Sequence, residues 1–419
     1  MADKSFGVKD INLIGASGTP EIESPNNLNI KATNVAISTD MSVGGELTVT
    51  DTFLKPQAVG LGTTTATGRD AGISTATGTM IYVPPTGMQV YTGDIGGWKT
   101  IANTNETAPA PPNVQGSGGT LFVYNNNNIH VFTGTQPFTT PSDFNKTVSY
   151  TIIGGGGGSN YDGGGGGGAG GWMEGSEPVG GSQTIVVTVG AGGDAGIEGS
   201  TPGTGPACNG NVSSVAFPGG TITAAAGGGG AFSGTGGAGG SAGGGRGGQG
   251  VTNGGTATGV PFPGTPGTTT PSNGWGYPGG NGVNPSPGGG GGGAGGAGSN
   301  GNSNNGLGGP GIFLHSIYRD PANPYGFAGP GSSDFWFAGG GGGGSYPKSD
   351  PQRGAGGGSP DVASPYAGAG RGQGNESPGS YQNGQSNSGS GAGGSTAGVG
   401  PRDGGTGGSG IVFLAYPTS

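Results

Sequence analysis

Six consecutive glycines occur at Gly163–Gly168, Gly288–Gly293 and Gly339–Gly344. Aromatic residues stand close by, as in "YDGGGGGGAGGW" and "DFWFAGGGGGGSY". Glycine loses more backbone freedom on folding than any other residue. A glycine run also has no side chain to bury. Only its peptide N–H and C=O groups can order it, and buried peptide groups need partners.

Three conformations compete for such runs. A flexible coil is the default for Gly/Ser-rich chain. Disordered segments, however, are usually rich in charge and poor in aromatics. This region has few charges and carries Trp172, Trp275 and Trp336. A collagen triple helix needs glycine at every third position, and "GGAGGSAGGGRGGQG" does not keep that register. The third is the extended left-handed helix of the polyproline type, with three residues per turn and no internal hydrogen bonds. Where the contacting residues are glycine, such helices approach closely and bond one another's backbones. A polyglycine II bundle of this kind explains why Ala and Ser are the commonest interruptions.

Composition narrows the function. The chain has 113 glycines, 8% charged residues and a net charge of −9. Without a basic cluster, nucleic-acid binding has no electrostatic footing. The single cysteine, Cys208, forms no intrachain disulfide and reads as a small loop residue. The opening "MADKSFGVKD" lacks the apolar stretch of a secretory signal. No segment approaches the ~18 apolar residues of a membrane span.

The expected fold is mostly β with a polyglycine II helix bundle and almost no α-helix. In residues 1–55, "LNIKATNVAIST" and "LTVT" alternate apolar and polar residues in the manner of half-buried strands. They hold too few apolar positions for a core in one chain, which predicts an elongated, multi-chain fibrous β segment. Residues 56–77 read as a linker. Residues 78–102 read as a small β-meander stalk module with a "PPTG" turn and a second turn at "TGDIGGW". Residues 103–117 form a proline-containing spacer. The glycine-rich domain covers 118–419, with strands mainly in 118–225 and 410–419 and polyglycine helices with aromatic loops in 226–409. "SQTIVVTVGAGG" is the strongest strand signal, joined by "TLFVY", "IHVFT", "TVSYTII", "VSSVAF", "GTITAAA" and "GSGIVFLAYPTS".

Several of these pieces carry a resemblance. "IHVFTGTQPFT", "VSYTIIGGGGG", "GAGGWMEGSEPV", "TIVVTVGAGG" and "GGSGIVFLAYP" resemble the glycine-rich domains of bacteriophage tail-fibre proteins. The middle is similar to the tip adhesins of T-even-like phages. The opening fifty residues look like the start shared by structural proteins of T-even-type cyanobacterial phages. "GTMIYVPPTGMQVYTGDIGGWKTI" is similar to a small repeat of phage fibres. The resemblance implies a sandwich of polyglycine II helices whose variable loops at one end bind a host receptor. The chain departs from free-standing tip adhesins in carrying its own virion-type N-terminus.

Catalytic and metal signatures are sparse. His130 and His315 are far apart, and no metal-ligand spacing exists. His130 lies in a strand pattern and reads as structural. Asp320, Asp334, Asp350 and Asp361 sit among turn residues, where Asp commonly makes local backbone bonds. A glycan-cleaving fibre would need two carboxylates flanking a cleft. Ile312, Phe313, Leu314 and Ile317 read as local packing. Trp275, Tyr277, Tyr325, Phe327, Trp336 and Phe337 are the receptor-contact candidates, because aromatics on Pro/Gly-rich loops offer rigid contact area. Tyr346, Tyr366 and Tyr381 are possible additions to that surface.

The expected protein is therefore a non-enzymatic virion fibre, a tail fibre or adhesin, assembled in the host cytoplasm and located on the virion tail. It needs no cofactor and no metal. Its expected partners are tail or baseplate proteins through the N-terminal segment, further copies in a homotrimer, and a host outer-surface protein or glycan. A purely structural collar, baseplate or decoration protein is the alternative. A glycan depolymerase and a silk-like matrix protein are the lesser ones.

Overall fold

The computed structural model describes residues 80–83, 87–92, 97–100, 114–197, 208–265, 270–285, 287–302, 306–332, 334–345, 354–361, 364–374, 383–396 and 403–418. The expected fibrous segment, the linker, most of the spacer, and Asp350, Tyr346 and Tyr381 lie outside the described residues. The chain divides into two units, Met1–Ala102 and Asn103–Ser419. The described residues are mostly β where regular, and none is α-helical.

In the first unit, β1 (Met80–Val83), β2 (Gly87–Tyr91) and β3 (Trp98–Thr100) form one antiparallel sheet in sequence order. Tyr91 pairs with Trp98 across the sheet, and their rings meet edge to face at 5.4 Å. The "PPTG" and "TGDIGG" turns fall largely outside the described residues.

The second unit begins earlier than the sequence suggests. Ser117 exchanges two backbone hydrogen bonds with Thr139, and Val114 packs on the core. Residues 114–117, assigned to the spacer, thus belong structurally to this unit. Two sheets frame it. One holds β4 (Thr120–Tyr124), β5 (Asn127–Phe132), β7 (Lys146–Ile153), β8 (Trp172–Val179) and β14 (Ile411–Pro417), in the order β4-β5-β14-β7-β8. The other holds β6 (Gln136–Thr139), β9 (Thr184–Thr188), β10 (Ser213–Phe217) and β11 (Gly220–Ala224), in the order β11-β10-β9-β6. All pairings in these two sheets are antiparallel.

Alternate residues of the two sheets meet in a first apolar cluster: Val148, Ile152, Val412 and Leu414 on one side, Ile185, Val187 and Val215 on the other. The opposite face of the five-stranded sheet carries a second cluster. Ile129, Ile153, Ile411 and Phe413 pack there against Trp275, Leu314 and Phe337. A strand covered on both faces has no solvent side to alternate with. This is why β14, the middle strand of five, reads as the unbroken run "IVFLAY", every residue of which is buried. His130 is buried in β5, as its strand pattern suggests. Its Nδ1 lies 2.7 Å from the Gly118 carbonyl and its Nε2 lies 2.9 Å from Tyr416 Oη. A carbonyl only accepts, so Nδ1 carries the proton and the tyrosine hydroxyl donates to Nε2.

The strands run directly into the glycine-rich segments. Residues 154–159, which follow β7, are surrounded on six sides. Their N–H groups donate in pairs three residues apart: Gly154 and Gly157 to the carbonyls of Gly171 and Gly168, Gly155 and Gly158 to Asn211 and Cys208, Gly156 and Ser159 to Gly408 and Gly405. Their carbonyls accept from Gly227 and Gly230, from Gly193 and Gly196, and from Ala392. Five of these six neighbours continue β8, β10, β14, β11 and β9. The two-sheet frame thus sets out a hydrogen-bonded lattice of glycine runs.

The lattice repeats at the six-glycine runs. Gly166 and Ala169 donate to Gly289 and Gly292, and Gly288 and Gly291 donate to Gly344 and Gly341. A methyl group on Gly155, Gly156 or Gly157 would overlap the carbonyl oxygen of Ala191, Ser390 or Gly228. Side chains enter where they can replace a peptide partner. Asn209 Oδ1 accepts from Gly229 N–H at 2.7 Å. The buried Ser390 Oγ accepts from Gly339 N–H at 3.1 Å and donates to the Ala367 carbonyl.

Candidate recognition surface

β12 (Ile312–Phe313) and β13 (Trp336–Phe337) form a two-stranded antiparallel sheet, with Phe313 opposite Trp336. The long loop between them includes two 3-10 turns, at Ser316–Tyr318 and Pro330–Ser332. Ile312 and Leu314 anchor it in the second cluster, as their assignment to packing requires. The loop is therefore tethered at both ends to the sheet and the lattice.

The structure separates the six aromatic candidates. Trp275 and Phe337 are buried, Trp275 being 2% exposed and Phe337 wholly enclosed. Trp275 exchanges backbone hydrogen bonds with Trp172, and its ring meets Phe262 at 4.8 Å. Phe337 lies edge-on to Phe413 at 5.7 Å. A buried ring presents no face to a partner, so these two belong to the core. The sequence could not separate them from contact residues, because all six lie in similar Gly/Pro-rich surroundings. Tyr277 is half-buried, and its carbonyl accepts from Ala242 within the lattice.

Tyr325, Phe327 and Trp336 stay half-exposed and come together around the β12–β13 sheet. Phe327 and Trp336 exchange backbone bonds of 3.1 Å. Trp336 lies 5.2 Å from the Phe313 ring. Tyr325 stacks on Phe122 of β4 at 6.2 Å.

Beside them is a depression of about 390 Å³ lined by Tyr124, Asn125, Phe313, Ser316, Arg319, Asp334 and Phe335. Tyr124 and Asn125 come from the β4–β5 turn, where Asn125 and Asn126 both take positive φ, as two-residue hairpin turns demand. The Arg319 guanidinium sits 4.3 Å above the Phe313 ring centroid, a cation–π arrangement. Its Nε is buried without a hydrogen-bond partner. Phe335 has φ +84°, a left-handed conformation that costs a bulky residue about 1–3 kcal/mol and tends to cluster at functional sites. Sequence reading missed Arg319, Tyr124 and Phe335 as site residues. The "NNNN" turn and the arginine among loop aromatics were the available signals, but their meeting depends on tertiary pairing.

Residues 130–417 match the family model described as a glycine-rich domain. The chain belongs to the glycine-rich domain family. No curated protein matches it. The matched glycine-rich domain contains the lattice, the β12–β13 loop and five of the seven residues lining the depression.

Within the described part of the glycine-rich domain, the other candidate groups make local structure. Asp320 accepts from Ala322 N–H at 2.9 Å and from Asn323 Nδ2 at 2.7 Å, which is turn chemistry. Cys208 is buried, and burial raises its thiol pKa. No group of three or more His, Cys, Asp or Glu side chains gathers as a metal site among the described residues. No described helix is long and apolar enough to cross a membrane.

Proposed function

We propose that this chain is a non-enzymatic virion fibre protein of a bacteriophage, a tail fibre or adhesin, that presents its aromatic loops to a host surface. The proposal takes the glycine runs as polyglycine II helices. Their three-residue hydrogen-bond period and six neighbours support that reading, since such a helix has three residues per turn and bonds only outwards. Packed glycine offers no side chains to a partner, so contact falls to the loops, and loops on rigid scaffolds are where binding residues collect.

The observation that carries the proposal is the depression beside Trp336. Arg319 and Asp334 bring opposite charges to a wall built from Tyr124, Phe313 and Phe335. Such a surface suits a host outer-surface protein loop or a sugar ring. Residues 1–55 would attach the protein to tail or baseplate partners and join copies into a trimer.

Adsorption to the cells that the phage infects tests this reading. The purified full chain is expected to bind those cells and to compete with virions. Trp336→Ala is expected to weaken binding about ten-fold, the loss typical of a truncated aromatic anchor, while the fold survives. If neither the parent nor any loop variant binds, the protein is better read as a structural virion component.

A further inference from the structure

A second pocket borders the Ser316–Tyr318 turn. Glu174 of β8 is 2% exposed and shares its sheet face with Trp172, a position where alternation favours an apolar residue. Thr151 of β7 is its cross-strand partner, with Oγ1 3.5 Å from Glu174 Oε1. These two residues, with Ser149, His315, Ile317 and Tyr318, line a pocket of about 120 Å³. Tyr318 is 1% exposed; the Thr151 hydroxyl stands near its own, but no hydrogen bond of normal geometry reaches the buried phenol oxygen. An unpaired buried hydroxyl costs about 1–3 kcal/mol, and this one borders a polar cavity.

The chemistry of the walls selects the ligand. The Glu174 carboxylate disfavours an anion and accepts hydrogen bonds. The Tyr318 hydroxyl needs an acceptor, which a metal ion or an ammonium group does not supply. Burial holds the His315 imidazole toward its neutral form, and the neighbouring Arg319 charge adds to that effect, so the pocket gains little positive charge from it. A water occupies about 30 Å³ of liquid volume, so the pocket has room for about four waters or one edge of a sugar ring. Adjacent hydroxyls on a ring donate to a carboxylate and accept from a phenol at once. The Ile317 side chain and the His315 ring give the ring's C–H face an apolar wall.

We propose that this pocket binds the vicinal-diol edge of a monosaccharide unit. The site is distinct from the depression beside Trp336 and does not rest on the host-recognition reading. Saturation-transfer NMR on the full chain with the methyl glycosides of mannose, galactose and glucose tests it, with tetrahydropyran as the ring lacking hydroxyls. At least one glycoside is expected to bind at millimolar concentration, and tetrahydropyran is not. Tyr318→Phe is expected to lower that affinity about three- to ten-fold with an unchanged or higher melting temperature. Glu174→Gln is expected to weaken binding as well. Absence of binding by all three glycosides overturns the proposal, as does undiminished binding by Tyr318→Phe. A marked loss of stability in Tyr318→Phe also overturns it, since the hydroxyl would then be held by a structural water.

Discussion

A methyl group at Gly291 would overlap the carbonyl oxygen of Gly167, while Gly134 has open space around it. Gly291→Ala is therefore expected to destabilise the protein by about 3 kcal/mol or more, since the clash is with backbone rather than a movable side chain. Gly134→Ala is expected to be nearly neutral. Urea unfolding of the two variants checks the pair. His130 makes a second residue-scale prediction. Burial depresses its pKa below the ordinary 6.5 despite the bond to the Gly118 carbonyl. The unfolded chain then binds the proton more readily, so stability is full above about pH 6.5 and falls as the pH drops toward the folded-state pKa. His315 shifts in the same direction and adds to the fall. His130→Gln is expected to flatten the stability profile below pH 6.5 without removing its slope. An unchanged profile would mean that His130 is not held neutral.

At the scale of elements, the apolar strands were legible in the sequence and the punctuated ones were not. β9 and β10 show period-two burial and were readable as strands. β8 contains Gly175 and Pro178, which interrupt the strand pattern in the sequence. It lies at a sheet edge, where proline is tolerated. β12 and β13 are two residues each, too short for any period to show. The candidate surface was legible as a stretch of chain, but burial within it was not. Trp275 and Trp336 both lie close to glycine-rich segments, yet one packs against Phe262 in the core and the other stays half-exposed. Trp275→Ala is accordingly expected to cost about 3–5 kcal/mol, and Trp336→Ala about 1 kcal/mol, the scale of a surface aromatic pair. Thermal melts of both variants distinguish the two roles. A Trp275→Ala protein as stable as its parent would contradict the placement of that ring.

Across the whole molecule, strand-borne apolar clusters and glycine-borne hydrogen bonds divide the work of ordering the chain. The sandwich holds β7, β9, β10, β11 and β14 at spacings that let their glycine continuations pair on several sides. Each peptide hydrogen bond contributes a net ~0.5–1.5 kcal/mol, which is comparable to the added entropic cost of a glycine. Many such bonds must therefore form together. On the proposed reading residues 1–55 join copies of the chain, so light scattering on the full chain is expected to report a multimer. A clean monomer with an ordered N-terminal segment would refute that assembly. The central claim concerns the glycine runs themselves. Amide hydrogen exchange, read by mass spectrometry on peptides covering Gly163–Gly168, Gly288–Gly293 and Gly339–Gly344, tests it most directly. Protection comparable to that of β14 is the expected result from Gly165 onward in the first run and throughout the other two, because these N–H groups donate to backbone carbonyls inside the lattice or, for Gly339, to Ser390 Oγ. Exchange at the rate of a free Gly/Ser linker would contradict it.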